Sequence, residues 1–250
     1  MAPAENSDRE HGMHVEEIEY VADGRRLVGT YAVDDYGRGQ RPAVLLCHEG
    51  PGLDNHVKGR AIRLASRGYA AFALDYQGDG IAPPFDEGMA RLVELMGDPA
   101  RVRTLGRAGL DVLLRQERVD ASRVAAMGFC FGGAMSLELA RDGADLKGVI
   151  GFHPGFGAPN ASAARNIRGR VLLFCGANDP LIAKAARDEF EAEMIEAEVR
   201  DWRIEVMGGV GHSFTNVDVD QLGMPGVEYD ELADRHSWEA AVRHLEETLT

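Results

Sequence analysis

The sequence predicts an α/β protein with a mostly parallel central sheet, an N-terminal antiparallel hairpin and helices on both faces of the sheet. Short apolar runs recur along the chain, and stretches with helical periodicity separate most of them. Such alternation is typical of parallel strands that crossover helices bury on both faces. Hydrophobic residues make up 45% of the 250 residues, which is enough to fill one large core.

The elements follow in chain order. Residues 14–33 contain two alternating stretches joined at Asp23-Gly24, a dipeptide that favours a hairpin turn. Apolar runs predict the later strands: AVLLCH, AAFALDY, RVAAMGFC, LKGVIGFH, RVLLFCGAND and DWRIEVMGG. Helical periodicity marks VKGRAIRLASRG, AKAARDEFEAEMIEA and the final SWEAAVRHLEETL. Residues 77–87, QGDGIAPPFDE, are predicted to be an irregular loop, either a rim or lid over a site or an ordinary surface crossover.

Composition restricts the partners. Residues 1–12 are predicted to form a disordered tail and residues 13–250 a single domain, since no Pro/Gly/Ser-rich linker divides them. A formal charge of −14 would repel nucleic acid and anionic membranes, so neither is expected to bind. No apolar run approaches the roughly 20 residues that cross a bilayer. We expect a cytoplasmic monomer or homodimer that acts on a small molecule.

The three cysteines lack the Cys-x-x-Cys spacing of a zinc or redox pair, and an odd number cannot all pair internally. We interpret them as thiols in a reducing compartment, and we expect neither a metal nor a cofactor. Cys47 and Cys175 lie inside apolar runs, where cysteine is usually a small buried hydrophobe. Cys130 instead lies where a predicted strand gives way to a helix.

Residues 128–132, GFCFG, fit the pattern of a nucleophile elbow, a sharp strand-to-helix turn that exposes a nucleophilic side chain above the sheet. The pattern alone also fits a buried structural cysteine. Two later residues favour catalysis, because Asp179 ends one predicted strand and His212 follows the next. Nucleophile, acid and histidine then occur in the chain order of the α/β-hydrolases, which predicts a triad of Cys130, Asp179 and His212.

The predicted chemistry is acyl transfer. His212 would hold Cys130 as thiolate or accept its proton, and Asp179 would fix the imidazole tautomer. Attack on an ester or lactone carbonyl would form a thioester acyl-enzyme, which water then hydrolyses. The backbone N–H groups of Phe131 and Gly50 are predicted to form the oxyanion hole.

Glu49 lies in the loop HEGPG after the first predicted parallel strand. One interpretation is a surface salt bridge. The other is a buried carboxylate near Cys130 that disfavours a resting thiolate and accepts the thiol proton when substrate displaces it.

With these residues placed, the chain resembles the dienelactone hydrolase (carboxymethylenebutenolidase) family of α/β-hydrolases over about residues 14–248, most specifically in HEGPGLD, GFCFGG, GANDP and GHSFTN. The resemblance implies an α/β-hydrolase fold with Cys130 as nucleophile, His212 as base and Asp179 as orienting acid. It also implies that Glu49 is the family's switch glutamate, which activates the thiol once substrate is bound.

The best-known family members hold a substrate carboxylate with arginines in two loops. The corresponding stretches here, QGDGIAPPFDEG and SFTNVDVDQLG, contain no arginine. A carboxylate-bearing dienelactone is therefore not the expected natural substrate. Asp75, Tyr76 and His153 lie at predicted strand ends, where they could line the site or could cap and pack loops.

The sequence thus predicts a cysteine-dependent hydrolase of a small ester, lactone or thioester. Two alternatives stay open. One is a carboxylesterase or small peptide hydrolase on the same scaffold, and the other is a ligand-binding protein that retains the triad without turnover.

Overall fold

The computed structural model of the protein describes residues 12–36 and 39–250, so residues 1–11 of the predicted tail lie outside it. The strands are β1 (Met13–Ala22), β2 (Arg25–Asp34), β3 (Arg41–Cys47), β4 (Ala70–Ala73), β5 (Val119–Phe129), β6 (Gly148–Phe152), β7 (Arg170–Gly176) and β8 (Trp202–Met207). The α-helices are α1 (Asn55–Ala65), α2 (Phe85–Met96), α3 (Pro99–Leu114), α4 (Phe131–Arg141), α5 (Ala161–Ala164), α6 (Lys184–Glu196) and α7 (Glu231–Thr248). A 3₁₀ turn spans Val219–Leu222.

The strands form one sheet in the order β1-β2-β4-β3-β5-β6-β7-β8. Strands β3 to β8 run parallel, whereas β2 pairs antiparallel with both β1 and β4. Asp23 and Gly24 join β1 to β2 with φ angles of 51° and 68°, a conformation that suits this dipeptide in a hairpin turn. The predicted fold class, including the hairpin, is confirmed.

Alternating side chains of the central strands build two cores, one on each face of the sheet. In β3, Leu45 and Cys47 belong to the core that α2, α3, α4 and α6 cover, while Val44 and Leu46 belong to the core under α1 and α7. This two-sided burial explains why the parallel strands are continuous apolar runs in the sequence.

The irregular loop predicted over residues 77–87 is shorter than expected. Helix α2 begins at Phe85, directly after Pro84, and its first turn contains Asp86 and Glu87. Acidic side chains favour the positive end of a helix dipole, and this stabilises a helix start where the sequence suggested a loop. Helices α2 and α3 were not among the predicted helices, and together they cover the sheet beside the strand ends that carry the candidate site.

Candidate active site

Cys130 lies in a strained turn between β5 and α4, with φ 52° and ψ −118°. Glycine is required on both sides of it because the backbone is crowded. A Cβ added at Gly128 would lie 2.0 Å from the carbonyl oxygen of Gly132, and one added at Gly132 would lie 2.1 Å from the carbonyl oxygen of Cys47. The turn is braced by its own amide, which donates to the carbonyl of Phe152 on the neighbouring strand at 3.0 Å. The local sequence therefore builds the elbow that it predicts.

Helix α4 begins at Phe131, immediately after Cys130, so the positive end of its dipole faces the cysteine. Cys130 is half-buried and lines a cavity of about 230 Å³, which Gly50 also lines. Phe131 follows Cys130 directly in the chain, and Gly50 lies in the wall of the same cavity.

Asp179 and His212 meet at the same edge of the sheet, 33 residues apart in sequence. The Nδ1 atom of His212 lies 2.6 Å from Oδ2 of Asp179, and both side chains are 2% exposed. The other carboxylate oxygen of Asp179 accepts from the amides of Leu181 and Ile182 at 2.8 and 2.9 Å, which fixes its orientation. His212 is held in turn by its amide, which donates to the carbonyl of Gly226 at 2.8 Å.

His212 lines the same cavity as Cys130. Its Nε2 atom is buried and has no hydrogen-bond partner of ordinary geometry among the described residues. Burial lowers the pKa of His212, but the negative charge of Cys130, a hydrogen-bond contribution from Asp179, a smaller one from Cys130 and the charge of Asp179 outweigh burial and raise that pKa to about 10. The surroundings of His212 therefore favour its imidazolium form.

Glu49 is buried, and neither of its carboxylate oxygens is free. Oε1 accepts from the hydroxyl of Ser213 at 2.7 Å and Oε2 accepts from the amide of Asn216 at 2.6 Å. The Nδ1 atoms of His153 and His56 lie 3.9 and 4.0 Å away. Burial raises the pKa of Glu49, while the hydrogen bonds from Ser213 and Asn216 act in the opposite direction. Glu49 lines the same cavity as Cys130, and the surface salt-bridge interpretation is wrong because the carboxylate is inside.

A second carboxylate lies beside Glu49. Asp54 caps α1 by accepting from the amide of Val57 at 3.2 Å, and its Oδ2 lies 3.3 Å from the amide nitrogen of Asn216. Oxygen and nitrogen atoms of Glu49, Asp54 and His56 lie within 4.8 Å of one another, a spacing suited to a metal ion. The side-chain N–H₂ group of Asn216 donates to both carboxylates, to Glu49 at 2.6 Å and to Asp54 at 3.3 Å.

The three residues proposed at strand ends are buried elsewhere, and none lines the cavity that contains Cys130. The carboxylate of Asp75 accepts four backbone N–H bonds and braces the loop after β4. The Tyr76 hydroxyl donates to the carbonyl of Glu49 at 2.7 Å, and its ring stacks on His48. His153 packs edge-on against His212, with ring centroids 5.1 Å apart. These contacts fit the loop-packing alternative.

Sequence reasoning did not assign roles to the partners of Glu49. Ser213 and Asn216 occur in the motif GHSFTN beside His212, and Asp54 occurs in HEGPGLD beside Glu49. Their position inside the two motifs that flank the site was the available signal. What the sequence did not show is that the two motifs contact each other.

The rest of the cavity wall is mostly apolar. Its larger apolar side chains include Phe85, Met89, Leu92, Leu181, Leu222 and Met224. Among the described residues that line it there is no lysine or arginine, whereas Glu49, Asp54 and Asp218 all contribute. Ala82 and Phe85 place the end of the 77–87 stretch at the cavity rim.

This sheet, with a cysteine elbow and a histidine–aspartate pair at its carboxyl edge, defines the α/β-hydrolase class. The model of the dienelactone hydrolase family matches residues 28–249, and the chain belongs to that family. It is a hydrolase of carboxylic esters, as its family is.

Related proteins support the assignment over nearly the whole chain. The dienelactone hydrolase-like promiscuous phosphotriesterase P91 from metagenomic libraries is 37% identical, with a TM-score of 0.91 over 95% of this chain and 99% of that one. A protein designated m3DLH is 41% identical, with a TM-score of 0.90 over the same shares. Protein usf of Aquifex pyrophilus is 26% identical over 93% of this chain and 98% of its own length.

Proposed function

We propose that the protein hydrolyses a small ester or lactone with Cys130 as nucleophile and a thioester acyl-enzyme as intermediate. One observation carries the proposal. Cys130 and His212 line the same cavity, Cys130 contributes to the raised pKa of His212, and Asp179 holds the Nδ1 atom of that imidazole. A structural cysteine would need neither the strained turn nor the oriented histidine.

The first half-reaction forms the acyl-enzyme. The Cys130 thiolate attacks the carbonyl carbon, a carbon–sulfur bond forms, and the oxyanion accepts hydrogen bonds from the amides of Phe131 and Gly50. When the tetrahedral intermediate collapses, the bond to the leaving oxygen breaks. The His212 imidazolium donates its proton to that oxygen, which leaves as an alcohol or, from a lactone, as a hydroxyl of the same molecule.

The second half-reaction returns the enzyme to its starting state. Neutral His212 removes a proton from water, the resulting hydroxide attacks the thioester carbon, and the Cys130 thiolate leaves. The products are a carboxylic acid and a thiolate–imidazolium pair. Asp179 stabilises the imidazolium in both halves and does not itself take up the proton.

We further propose that Glu49 supplies a switch. In the substrate-free protein its carboxylate is bound by Ser213 and Asn216, so it must leave these donors before it can accept a proton from the Cys130 thiol. A substrate that enters the cavity would displace it, because Glu49 forms part of the cavity wall. Thiolate would then form when a carbonyl is present to attack, and after the acid product leaves, Glu49 would return its proton to the Cys130 thiolate.

The cavity wall disfavours the carboxylate-bearing substrates that arginines would hold. Neutral aryl esters, alkyl esters and lactones fit its apolar surface better. The phosphotriester activity named for the P91 relative makes a neutral phosphotriester a second compound to screen. Asp75, Tyr76 and His153 are proposed to support the strand ends and not to contact substrate.

The three cysteines are unpaired, which suits a reducing compartment such as the cytoplasm. Among the described residues, no helix is both long and apolar enough to span a membrane. A single domain over residues 13–250 and a monomeric or dimeric state remain predictions.

The test is pre-steady-state hydrolysis of p-nitrophenyl acetate, followed by turnover of a panel of short esters and lactones. We expect a rapid burst of one equivalent of p-nitrophenol and then steady turnover. Intact-mass analysis of the quenched protein should show one added acetyl group. Peptide mass analysis after digestion should locate it on the peptide that contains Cys130. A burst that stops after one equivalent would favour the ligand-binding alternative, and acylation at another residue would disprove the assignment of Cys130.

A further inference from the structure

We propose that this cavity selects substrates that carry a positive charge, and that its substrate class is an ester or lactone with an alkylammonium group. The inference deepens the proposed function and rests on it for turnover. Arginines in the family's two loops would favour a negatively charged substrate, and the preference proposed for this cavity is the opposite.

The cavity wall carries one positive group, the His212 imidazolium, which is paired with Asp179, and its other charged side chains are acidic. Glu49, Asp54 and Asp218 contribute to its wall, and no lysine or arginine does so among the described residues. The recorded ion pairs within 4.0 Å give these carboxylates no lysine or arginine partner, since Glu49 meets only His56 and His153. Burial lowers the pKa of both histidines, so neither supplies a positive charge at neutral pH.

Neutral donors hold two of these carboxylates in place. The amide of Asn216 lies 2.6 Å from Glu49 and 3.3 Å from Asp54. Hydrogen bonds of this kind stabilise a carboxylate without cancelling its field in the cavity. Asp218 is exposed at the rim, where its charge can act on an approaching ligand.

The remaining wall suits the methyl and methylene groups of an alkylammonium. Phe85, Met89 and Met224 belong to it, and a cation close to an aromatic face gains further attraction. Cys130 and His212 line the same cavity, so it also contains the reacting end of the proposed site. A ligand could therefore place its carbonyl at Cys130 and its cationic group against the acidic wall.

The first test measures the charge preference at Cys130 without any turnover. Wild-type protein is treated with two methanethiosulfonates, one ending in trimethylammonium and one ending in sulfonate, and modification of the Cys130 peptide is timed by mass spectrometry. After division by the same ratio for a free small thiol, we expect the cationic reagent to react on the order of tenfold faster at low salt. The preference should shrink at 0.5 M NaCl because salt screens the field.

Matched variants identify the source of the preference. Asp54→Asn and Asp218→Asn, separately and together, should reduce the ratio, and asparagine can still cap α1. Asp145→Asn makes the same charge change before β6, at the opposite edge of the sheet, and should leave the ratio unchanged. A wild-type ratio equal to that of the free thiol, or an equal response to Asp145→Asn, would overturn the proposal.

The second test uses two substrates of nearly the same shape, butyrylcholine and 3,3-dimethylbutyl butyrate, followed by acid release in a pH-stat. We expect kcat/KM to be several-fold higher for the choline ester and the ratio to fall in the Asp54→Asn, Asp218→Asn double variant. Equal values, or a preference for the neutral ester, would refute charge selection while leaving the esterase intact. If neither ester is hydrolysed, the proposed function fails on these substrates, and the methanethiosulfonate ratio still decides whether the cavity prefers cations.

Discussion

The two ends of helix α4 carry buried charged groups that are arranged in opposite ways. At its C-terminal end, Arg141 is 1% exposed and its guanidinium donates to Glu193 at 2.9 and 2.6 Å, to Glu138 at 3.0 Å and to the carbonyl of Phe156 at 2.9 Å. Arg103 adds a second cation by donating to Glu138 at 2.9 Å. Two cations thus balance two carboxylates, and every nitrogen of Arg141 has a partner.

At the N-terminal end, the buried carboxylates beside the cavity have no cationic partner. The carboxylates of Glu49 and Asp54 accept hydrogen bonds from neutral donors and have no lysine or arginine partner within 4.0 Å among the described residues. Behind them, the Nδ1 atoms of His153 and His56 are buried without a hydrogen-bond partner. Both ends are buried, so burial alone does not distinguish them. A buried network whose charges are balanced stabilises the fold. Carboxylates beside a cavity that have no cationic partner instead mark a place where a ligand can bind.

The largest effect should come from the nucleophile. Cys130→Ala is expected to abolish turnover without loss of the fold, since the thiolate that forms the acyl-enzyme is gone. Cys47→Ala and Cys175→Ala are the controls, and they should at most lower stability because both thiols are buried in the core. Steady-state rates and far-UV circular dichroism check this. Wild-type turnover by Cys130→Ala would remove the basis of the mechanism.

The imidazole and its partner should follow. His212→Ala is expected to lower kcat by several orders of magnitude, and Asp179→Asn by up to roughly 10⁴-fold, because the imidazole then loses its fixed tautomer. The Asp179 effect can be smaller with a thiol nucleophile, since cysteine is more nucleophilic than serine. Single-turnover acylation rates separate the chemical step from product release. Near-normal rates in both variants would mean that another base serves Cys130.

At the opposite end of α4 the expected effect is on stability. Arg141→Met leaves Glu193 and Glu138 short of a buried cation and should destabilise the protein by about 3–5 kcal/mol. Thermal unfolding should drop by roughly 6–20 °C. Arg107→Met breaks an exposed pair with Asp142 near the same helix end and should change stability by less than about 1 kcal/mol. Equal losses in the two variants would contradict the contrast drawn between buried and exposed pairs.

Glu49→Gln tests the switch at the site end. We expect lower turnover together with faster alkylation of the resting Cys130 thiol, because a repelling carboxylate is removed. Iodoacetamide rates against pH, followed on the Cys130 peptide with Cys47 and Cys175 replaced, provide the measurement. Burial raises the pKa of Glu49, so the carboxylate takes up its proton at a higher pH than an ordinary glutamate does. Activity that needs the ionised carboxylate should therefore fall as the pH decreases, and this fall should be absent in Glu49→Gln. Coinciding alkylation curves and unchanged turnover would make Glu49 structural.

The smallest expected effect is a shift in the titration of His212. The folded-state pKa of about 10 lies above the unfolded value of 6.5, so the stabilisation from the protonated ring is complete below pH 6.5 and is lost as pH rises through 10. Cys130→Ala removes the largest contribution that raises this pKa and should lower it. Nuclear magnetic resonance of the labelled imidazole measures the change, with Cys175→Ala as control. An unchanged pKa would show that Cys130 carries no negative charge beside the ring.

The sequence by itself determined the features that depend on neighbours along the chain. Apolar runs predict the parallel strands, and Asp23-Gly24 predicts the hairpin. The crowding at Gly128 and Gly132 explains why glycines flank the elbow cysteine in a recognisable motif. Chain order was enough to predict that Asp179 and His212 would lie at the same edge of the sheet as Cys130, because parallel strands bring their carboxyl ends to one edge.

Only the tertiary structure decided which groups those residues meet. Glu49 contacts Ser213 and Asn216, which lie 164 and 167 residues away, and Arg141 pairs with Glu193, which lies 52 residues away. Side-chain periodicity assigns a residue to a face of its own element, but a contact between elements depends on how helices and loops pack across the sheet. The same reason explains why Asp75, Tyr76 and His153 end strands at the correct edge and still point to loops instead of the cavity.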